Sequence, residues 1–272
     1  MNRLIALTAF AACIAATASA SSIIYGAGTN GDLYTINPTT GITSEVGAMG
    51  TVLYDIAEYN GKLYGISATS DLYSINTTTG HATEIGSTGE ALNALTFSST
   101  GILYAAGLTT TDLYTVNTTT GAATKVPGET TQPAYDSAGD LEFIAGVLYL
   151  TTGGDGFDAP STLDTVNLTT GALTAVGAIK VGSTPVDDVF GLAVQYGVLY
   201  GFTSDLFGPG EVISINPATG AATDVAPYGG TGRGAFTFYG TTDDPAPEPG
   251  TLGVMGLGLL SLGAAAYRRR RA

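Results

Sequence analysis

One hairpin is written five times along this chain, and that repetition limits the fold more than any other feature. The copies read DLYTINPTTGITSEVG from Asp32, DLYSINTTTGHATEIG from Asp71, DLYTVNTTTGAATKVP from Asp112, TLDTVNLTTGALTAVG from Thr162 and EVISINPATGAATDVA from Glu211. Successive copies start 39, 41, 50 and 49 residues apart. In each, apolar and polar residues alternate, as in Leu72, Tyr73, Ser74 and Ile75, and an Asn-x-Thr-x-Gly stretch follows in which a glycine such as Gly80 can take positive φ. Asn37, Asn76, Asn117, Asn167 and Asn216 recur at one position. An Asx-turn accounts for all five, although Asn76, Asn117 and Asn167 also stand in the Asn-x-Thr pattern of glycan acceptors.

Two further strands precede four of the copies, as in DIAEYNGKLYGIS from Asp55, NALTFSSTGILYAAG from Asn93, DLEFIAGVLYLTT from Asp140 and FGLAVQYGVLYGFT from Phe190. Four strands per unit, repeated every 40 to 50 residues or so, are the mark of propeller blades. The first copy has only Ile23-Ile24-Tyr25-Gly26 before it and so lacks an innermost strand, while one strand of that missing type, GAFTFYG at 234–240, follows the last copy. Letting it complete the first blade closes the ring and removes open sheet edges; a β-solenoid gives the split unit no reason. The expected fold is therefore all-β, a five-bladed β-propeller over residues 21–240 closed by its C-terminal strand. This body resembles secreted bacterial β-propellers with repeated Leu-Tyr-x-Ile-Asn-x-x-Thr-Gly hairpins, a likeness that speaks for fold rather than activity.

Both ends read as targeting segments. Asn2 and Arg3 precede an apolar run from Leu4 to Ala16, and Ala18-Ser19-Ala20 offers the small residues that signal peptidase requires, so residues 1–20 are expected to be removed. Cys13 is the single cysteine, and Phe10-Ala11-Ala12-Cys13 is a poor lipoprotein box. The exported body then has no disulfide and depends on its buried core. At the other end a proline-rich linker, 241–250, leads into an apolar run from Thr251 to Tyr267 and then Arg268, Arg269, Arg270 and Arg271. At about 1.5 Å per residue the run spans roughly 25 Å as a helix, a short fit to a bilayer core of about 30 Å, and the arginines hold its end in the cytoplasm. Pro247-Glu248-Pro249, the short apolar span and the terminal arginines together closely resemble the PEP-CTERM sorting signal. The resemblance implies recognition by an exosortase-like membrane transpeptidase of exopolysaccharide-producing Gram-negative bacteria, transient anchoring in the inner membrane by 251–272, and delivery to the cell surface or extracellular matrix.

Charge narrows the choice of partner. Outside the two ends the bases are Lys62, Lys125, Lys180 and Arg233, against 23 acidic residues in the chain. Nucleic acid is excluded on that balance, and an anionic exopolysaccharide would be repelled unless cations bridged the two.

Variation in loop length shows where a site belongs. From Tyr25, Tyr64, Tyr104, Tyr149 and Tyr200 to the next repeat start the steps are 7, 7, 8, 13 and 11, and the links at 127–139 and 177–190 are also long. Those connections share one face of the disc, and sites concentrate in variable loops on a rigid scaffold. The inner-strand starts place Asp55, Asn93, Asp140, Asp188 and Arg233 around the channel mouth on that face. Such a ring is a solvated polar rim, a cation or sugar site, or a pair of carboxyls for glycosidic acid/base work. In Gly153-Gly154-Asp155-Gly156-Phe157-Asp158, Asp155 and Asp158 are candidate calcium ligands, although the complete EF-hand and nonapeptide patterns are missing. His81, the single histidine, has Ile42, Ala122, Ala172 and Ala221 as counterparts beside the turn, so neither a histidine metal cluster nor thiol chemistry is expected. The repeated tyrosines are expected between blades.

The expected function is thus non-catalytic binding or scaffolding at the cell surface, without a cofactor unless calcium binds. Glycans are the candidate ligands. The alternatives are a carboxylate-dependent glycan hydrolase or lyase and a calcium-dependent lectin.

Overall fold

Inner segments such as Leu103–Gly107 are buried on both faces, whereas outermost segments such as Thr43–Ala48 are not, and five sheets satisfy this by packing face to face around an axis. The computed structural model describes residues 23–110, 112–128, 136–153, 160–204, 209–230, 236 and 238–243. The first blade contains β1 (Ile24–Gly28), β2 (Asp32–Ile36) and β3 (Thr43–Ala48), and the second β4 (Leu53–Tyr59), β5 (Lys62–Ser67), β6 (Asp71–Ile75) and β7 (Ala82–Ser87). The third contains β8 (Leu92–Phe97), β9 (Leu103–Gly107), β10 (Leu113–Val116) and β11 (Ala123–Lys125), and the fourth β12 (Asp136–Ile144), β13 (Val147–Gly153), β14 (Thr162–Val166) and β15 (Leu173–Ala178). After β16 (Lys180–Val181) and β17 (Thr184–Pro185) comes the fifth, with β18 (Val189–Gln195), β19 (Val198–Thr203), β20 (Gly210–Ile215) and β21 (Ala221–Tyr228). The last strand, β22 (Phe238–Asp243), returns to the first blade and pairs with β1 as its innermost strand. No helix occurs among the described residues.

The core is divided into five clusters, one at each seam between neighbouring blades. Ala27, Leu33, Leu53 and Ile56 join the first blade to the second, and Ala57, Leu72, Leu95 and Leu103 the second to the third. Ala94, Leu113, Leu141 and Leu150 continue to the fourth, and Leu163, Ile179, Leu192 and Ile213 to the fifth. The ring closes through Ile24, Tyr34, Phe202, Tyr228 and Phe238. At this last seam Tyr228 stacks on Phe238 at 4.7 Å, donates from its hydroxyl to the Thr203 carbonyl at 2.7 Å, and accepts the Phe238 N–H at 3.1 Å. Burial pushes the Tyr228 phenol well up, so it remains a neutral donor. The inter-blade tyrosines Tyr104, Tyr149 and Tyr200 are buried as the repeat predicts.

The Asn turns also follow the sequence. Asn76 Oδ1 accepts the N–H groups of Thr78 and Thr79 at 2.9 and 3.0 Å, and Gly80 N donates to the Asn76 carbonyl at 2.8 Å. Asn37, Asn117, Asn167 and Asn216 repeat the arrangement on Thr39, Thr119, Thr169 and Ala218. Gly80 has φ 78°, and a Cβ there would lie 2.2 Å from the carbonyl oxygen of Gly47 in the preceding blade. The glycine therefore serves the turn and the seam together.

Two details depart from expectation. Of the expected closing strand at 234–240, residues 234, 235 and 237 lie outside the described residues; the strand is described over Phe238–Asp243, where Phe238 fills the seam, and Phe236 has its ring stacked 3.8 Å from that of Tyr34. The strand thus takes in 241–243, which the sequence assigns to the linker. The second departure is the β16–β17 hairpin, which extends the fifth sheet to six strands by parallel pairing of Lys180 and Val181 with Ala221 and Ala222 of β21.

Closure by β22 makes a measurable demand on the chain. Phe238 is fully buried, so Phe238→Ala should lower stability by about 3–5 kcal/mol. A Cβ on Gly240 would lie 2.0 Å from Asp55 Oδ1, so Gly240→Ala should also be strongly destabilising, whereas Gly153→Ala, whose Cβ meets nothing nearer than 3.8 Å, should unfold close to wild type. Chemical denaturation of the three variants checks the order.

Candidate functional site

Five inner strands meet at the axis, and each has one edge with no neighbouring strand to receive its N–H groups. Register places Asp55, Ala94, Asp140, Gly191 and Gly240 at one level, each two residues before the residue opposite Tyr64, Tyr104, Tyr149, Tyr200 or Tyr25. Three of the five are Ala or Gly, which leaves room for the two carboxyls. Asp55 Oδ1 accepts from Ile56 N at 2.7 Å, and its Oδ2 from Leu95 N at 2.5 Å. Asp140 Oδ2 accepts from Leu192 N and from Thr241 N, the latter at 3.2 Å. The Leu141 N–H, fifth at this level, also favours the ionised Asp140 carboxyl. Two side chains thereby tie the inner strands of all five blades together. Thr241 adds a link by donating its hydroxyl to the Leu192 carbonyl at 2.8 Å, and Thr242 Oγ1 accepts Glu58 N at 3.2 Å.

Both acids are wholly buried, and burial holds both carboxyls well above the usual range, with the Asp140 charge raising Asp55 further. The charge of one carboxyl disfavours ionisation of its neighbour, so burial and proximity together favour protonation within the pair. Asp140 Oδ1 has no hydrogen-bond partner among the described residues.

The predicted mouth residues are therefore divided by the structure. Asp55 and Asp140 come together, but below the mouth where solvent does not reach. Asn93 is buried beside them, with Nδ2 donating to the Ser137 carbonyl at 3.0 Å, while Asn93 Oδ1 and Ser137 Oγ meet no protein donor. Asp188 is half-buried at φ 52°, at the start of the fifth inner strand, where its carbonyl receives Ser204 N. Arg233, Asp155 and Asp158 lie outside the described residues, as do Ala18, Ala20, Pro247, Glu248, Pro249 and Arg268 to Arg271. Among the described residues no three His, Cys, Asp or Glu side chains gather to hold a metal ion. His81 is exposed beside its turn.

Residues that the sequence left unremarked complete the mouth. Each inner strand carries a bulge before the buried level, and the extra residue is Tyr239, Tyr54, Asn93 and Phe190 in the first, second, third and fifth blades. Tyr54 and Tyr239 meet edge to face at 5.6 Å, and they and Phe190 are half-buried. Gly139 supplies the fourth blade's part, with φ 131° and its α-carbon region facing the Phe190 and Tyr239 carbonyls. The signal was a residue immediately before Asp55 and Gly191 that breaks the strand's alternation, legible only after the bulge is known.

The raised carboxyls make stability depend on pH. The folded pair retains protons that the unfolded aspartates release in the ordinary carboxylate range, so the folded state binds more protons above that range. The stabilisation is complete below it and is lost as pH rises through the raised value. The unfolding temperature should therefore fall from mildly acidic toward alkaline pH. Asp140→Asn should flatten that slope, because its amide can keep the Leu192 and Thr241 N–H bonds and donate permanently to Asp55. Asp140→Ala should cost about 1–3 kcal/mol for each N–H left without an acceptor. Thermal unfolding across pH compares the three.

Comparison with known proteins is informative at the C-terminus and for the fold. Residues 245–271 match the PEP-CTERM protein-sorting motif, which implies export and processing by an exosortase, a sorting transpeptidase. No curated protein sequence matches the chain. Among solved structures, a chain of a nidogen/laminin complex aligns with TM-score 0.54 and 10% identity over 83% of this chain and 99% of that one. Glutaminyl cyclase of Myxococcus xanthus aligns with TM-score 0.49 and 20% identity over 67% of this chain and 72% of that one. A PQQ-bound aldose sugar dehydrogenase of Streptomyces coelicolor aligns with TM-score 0.42 and 16% identity over 61% and 60%. The protein is a PEP-CTERM-sorted, exported chain with a five-bladed β-propeller body.

Proposed function

We propose that the propeller is a non-catalytic binding module, delivered to the cell surface of a Gram-negative bacterium after transient anchoring in the inner membrane, that takes a neutral saccharide at the channel mouth. The observation that carries this reading is the commitment of Asp55 and Asp140. Three of their four oxygens accept backbone N–H groups, and solvent does not reach them, so neither is placed to protonate a glycosidic oxygen or activate water. What the mouth offers instead is aromatic surface from Tyr54, Tyr239 and Phe190, with the amide of Asn93 and the hydroxyl of Ser137 below it. Half-buried aromatic rings beside convergent polar groups suit the apolar faces and hydroxyls of a sugar. The acidic surface disfavours an anionic polymer, which makes a neutral glycan the better match.

A glycan array read with and without calcium tests the assignment. Tyr54→Ala with Tyr239→Ala should reduce binding at least tenfold while thermal unfolding shows a folded protein. Binding only in calcium would move the site to the loop holding Asp155 and Asp158, and turnover of any bound glycan would restore the hydrolase alternative. Sorting is checked separately by mass spectrometry of the mature protein from its producing cell, which should contain neither residues 1–20 nor Arg268 to Arg271. Intact terminal arginines in most molecules would leave a plain anchor.

A further inference from the structure

The end of the channel opposite the mouth carries a different surface. Ile24, Leu63, Leu103, Leu148 and Leu199 each pair with the residue just before an Asn turn, Ile36, Ile75, Val116, Val166 and Ile215. The residues immediately before them are Ile23, Lys62, Ile102, Val147 and Val198, so one equivalent position per blade presents four apolar side chains and a lysine. Ile23 is 40% exposed, Ile102 44%, Val147 42% and Val198 39%. In the turn before Val198, Tyr196 is 69% exposed and stands at φ 54°. The second blade has Asn60 at that place, φ 52°, a residue that tolerates the left-handed conformation, whereas a bulky aromatic there is strained. A strained, exposed tyrosine inside a ring of exposed aliphatic residues is costly in water and suits an apolar contact.

Charge and chain path indicate what that contact is. The chain carries net charge −14, yet Glu58 and Glu142, beside the turns of the second and fourth blades, are buried and Lys62 is exposed, so that Asp243, paired with Ile24, is the acid that the last strand brings to this end. The chain leaves the body at this same end, since Asp243 pairs with Ile24. Asp243 and Asp244 open the tail, and only residues 244–250 separate the last strand from the apolar run at Thr251. Seven extended residues reach at most about 25 Å. With the run inserted in a bilayer, this end of the propeller cannot move far from the lipid surface.

We propose that the end bearing Ile23, Ile102, Val147, Tyr196 and Val198 rests on the bilayer interface while the tail is inserted, so that the variable mouth faces away from the membrane. The inference rests on the membrane-inserted reading of the tail. Tyr196 provides an aromatic anchor at headgroup depth, and Lys62 a cation for anionic lipid.

The chain has no tryptophan, which permits a direct test. Full-length protein carrying Tyr196→Trp, Ile102→Trp or, at the mouth end, Val52→Trp is reconstituted into phosphatidylethanolamine–phosphatidylglycerol vesicles with and without bromine-substituted acyl chains. Flotation first establishes that each variant is inserted, and thermal unfolding that it is folded. Docking predicts bromolipid quenching at least threefold stronger for Tyr196→Trp and Ile102→Trp than for Val52→Trp. Flotation with equal quenching at both ends overturns docking and leaves the inserted tail intact, while failure to float removes the inserted tail and docking with it. A blue shift that follows protein-to-lipid ratio, without bromolipid quenching, would assign this end to a second copy of the chain and overturn the proposal.

Discussion

Backbone hydrogen bonding at the axis is the constraint on which the ring depends. A sheet in a propeller satisfies its inner-strand N–H groups on one edge only, and at the level of Asp55 and Asp140 the axis is closed to bulk solvent. Asp55 and Asp140 accept from Ile56, Leu95, Leu192 and Thr241, strands that share no sheet with the acceptor except in the case of Ile56. Neither acid could enter such a site alone and ionised without a large desolvation cost, and two ionised carboxylates would repel. Protonation within the pair lowers that charge, and the ring of N–H dipoles stabilises what remains. Small residues at the other three positions are therefore part of the same device, and Gly240 is closest to its limit.

That device explains why closure uses the C-terminal strand. β22 contributes Thr241, whose N–H completes the Asp140 cradle and whose hydroxyl reaches Leu192, together with Gly240, which makes room for Asp55. The hydrophobic seam at Phe238 and the polar axis at Thr241 thus form only when both ends of the body have met. Closing the ring late in the sequence links five locally folded hairpins into one unit, since the contacts of highest sequence separation are also those that satisfy the axis.

Much of this was legible in the repeat. Period, strand count, Asn turns, buried tyrosines and the split first blade all follow from residues whose roles are local and recur five times. Asp55 and Asp140 were legible as two of five residues around the channel mouth, but neither their pairing nor their burial was. Position along a strand says where a carboxyl begins, whereas burial depends on Ala94, Gly191 and Gly240 in three other blades. The bulges hid Tyr54, Phe190 and Tyr239 for a related reason. An extra residue reverses alternation only in the paired register, and nothing in FGLAV or DIAEY marks it. The β16–β17 hairpin was equally obscure, because Lys180-Val181-Gly182-Ser183-Thr184-Pro185 is unique in the chain and gains its strand character by pairing with β21.

The two ends of the channel follow different rules, and the difference has a physical origin. Connections at the mouth vary in length without disturbing a seam: from the second-strand tyrosine to the next repeat start the fourth and fifth blades take 13 and 11 residues where the first takes 7. At the opposite end the turns are fixed by tight pairs such as Asn60-Gly61, Ala145-Gly146 and Tyr196-Gly197, all at positive φ. Tight turns hold the side chains after them at one height, so Ile102, Val147 and Val198 form a level edge rather than scattered apolar points, and the pairing of Ile24 with Ile36 sets Ile23 at the equivalent position. Such an edge fits a flat partner, while adaptable loops fit a shaped one. The last strand also ends at this level edge, where Asp243 pairs with Ile24.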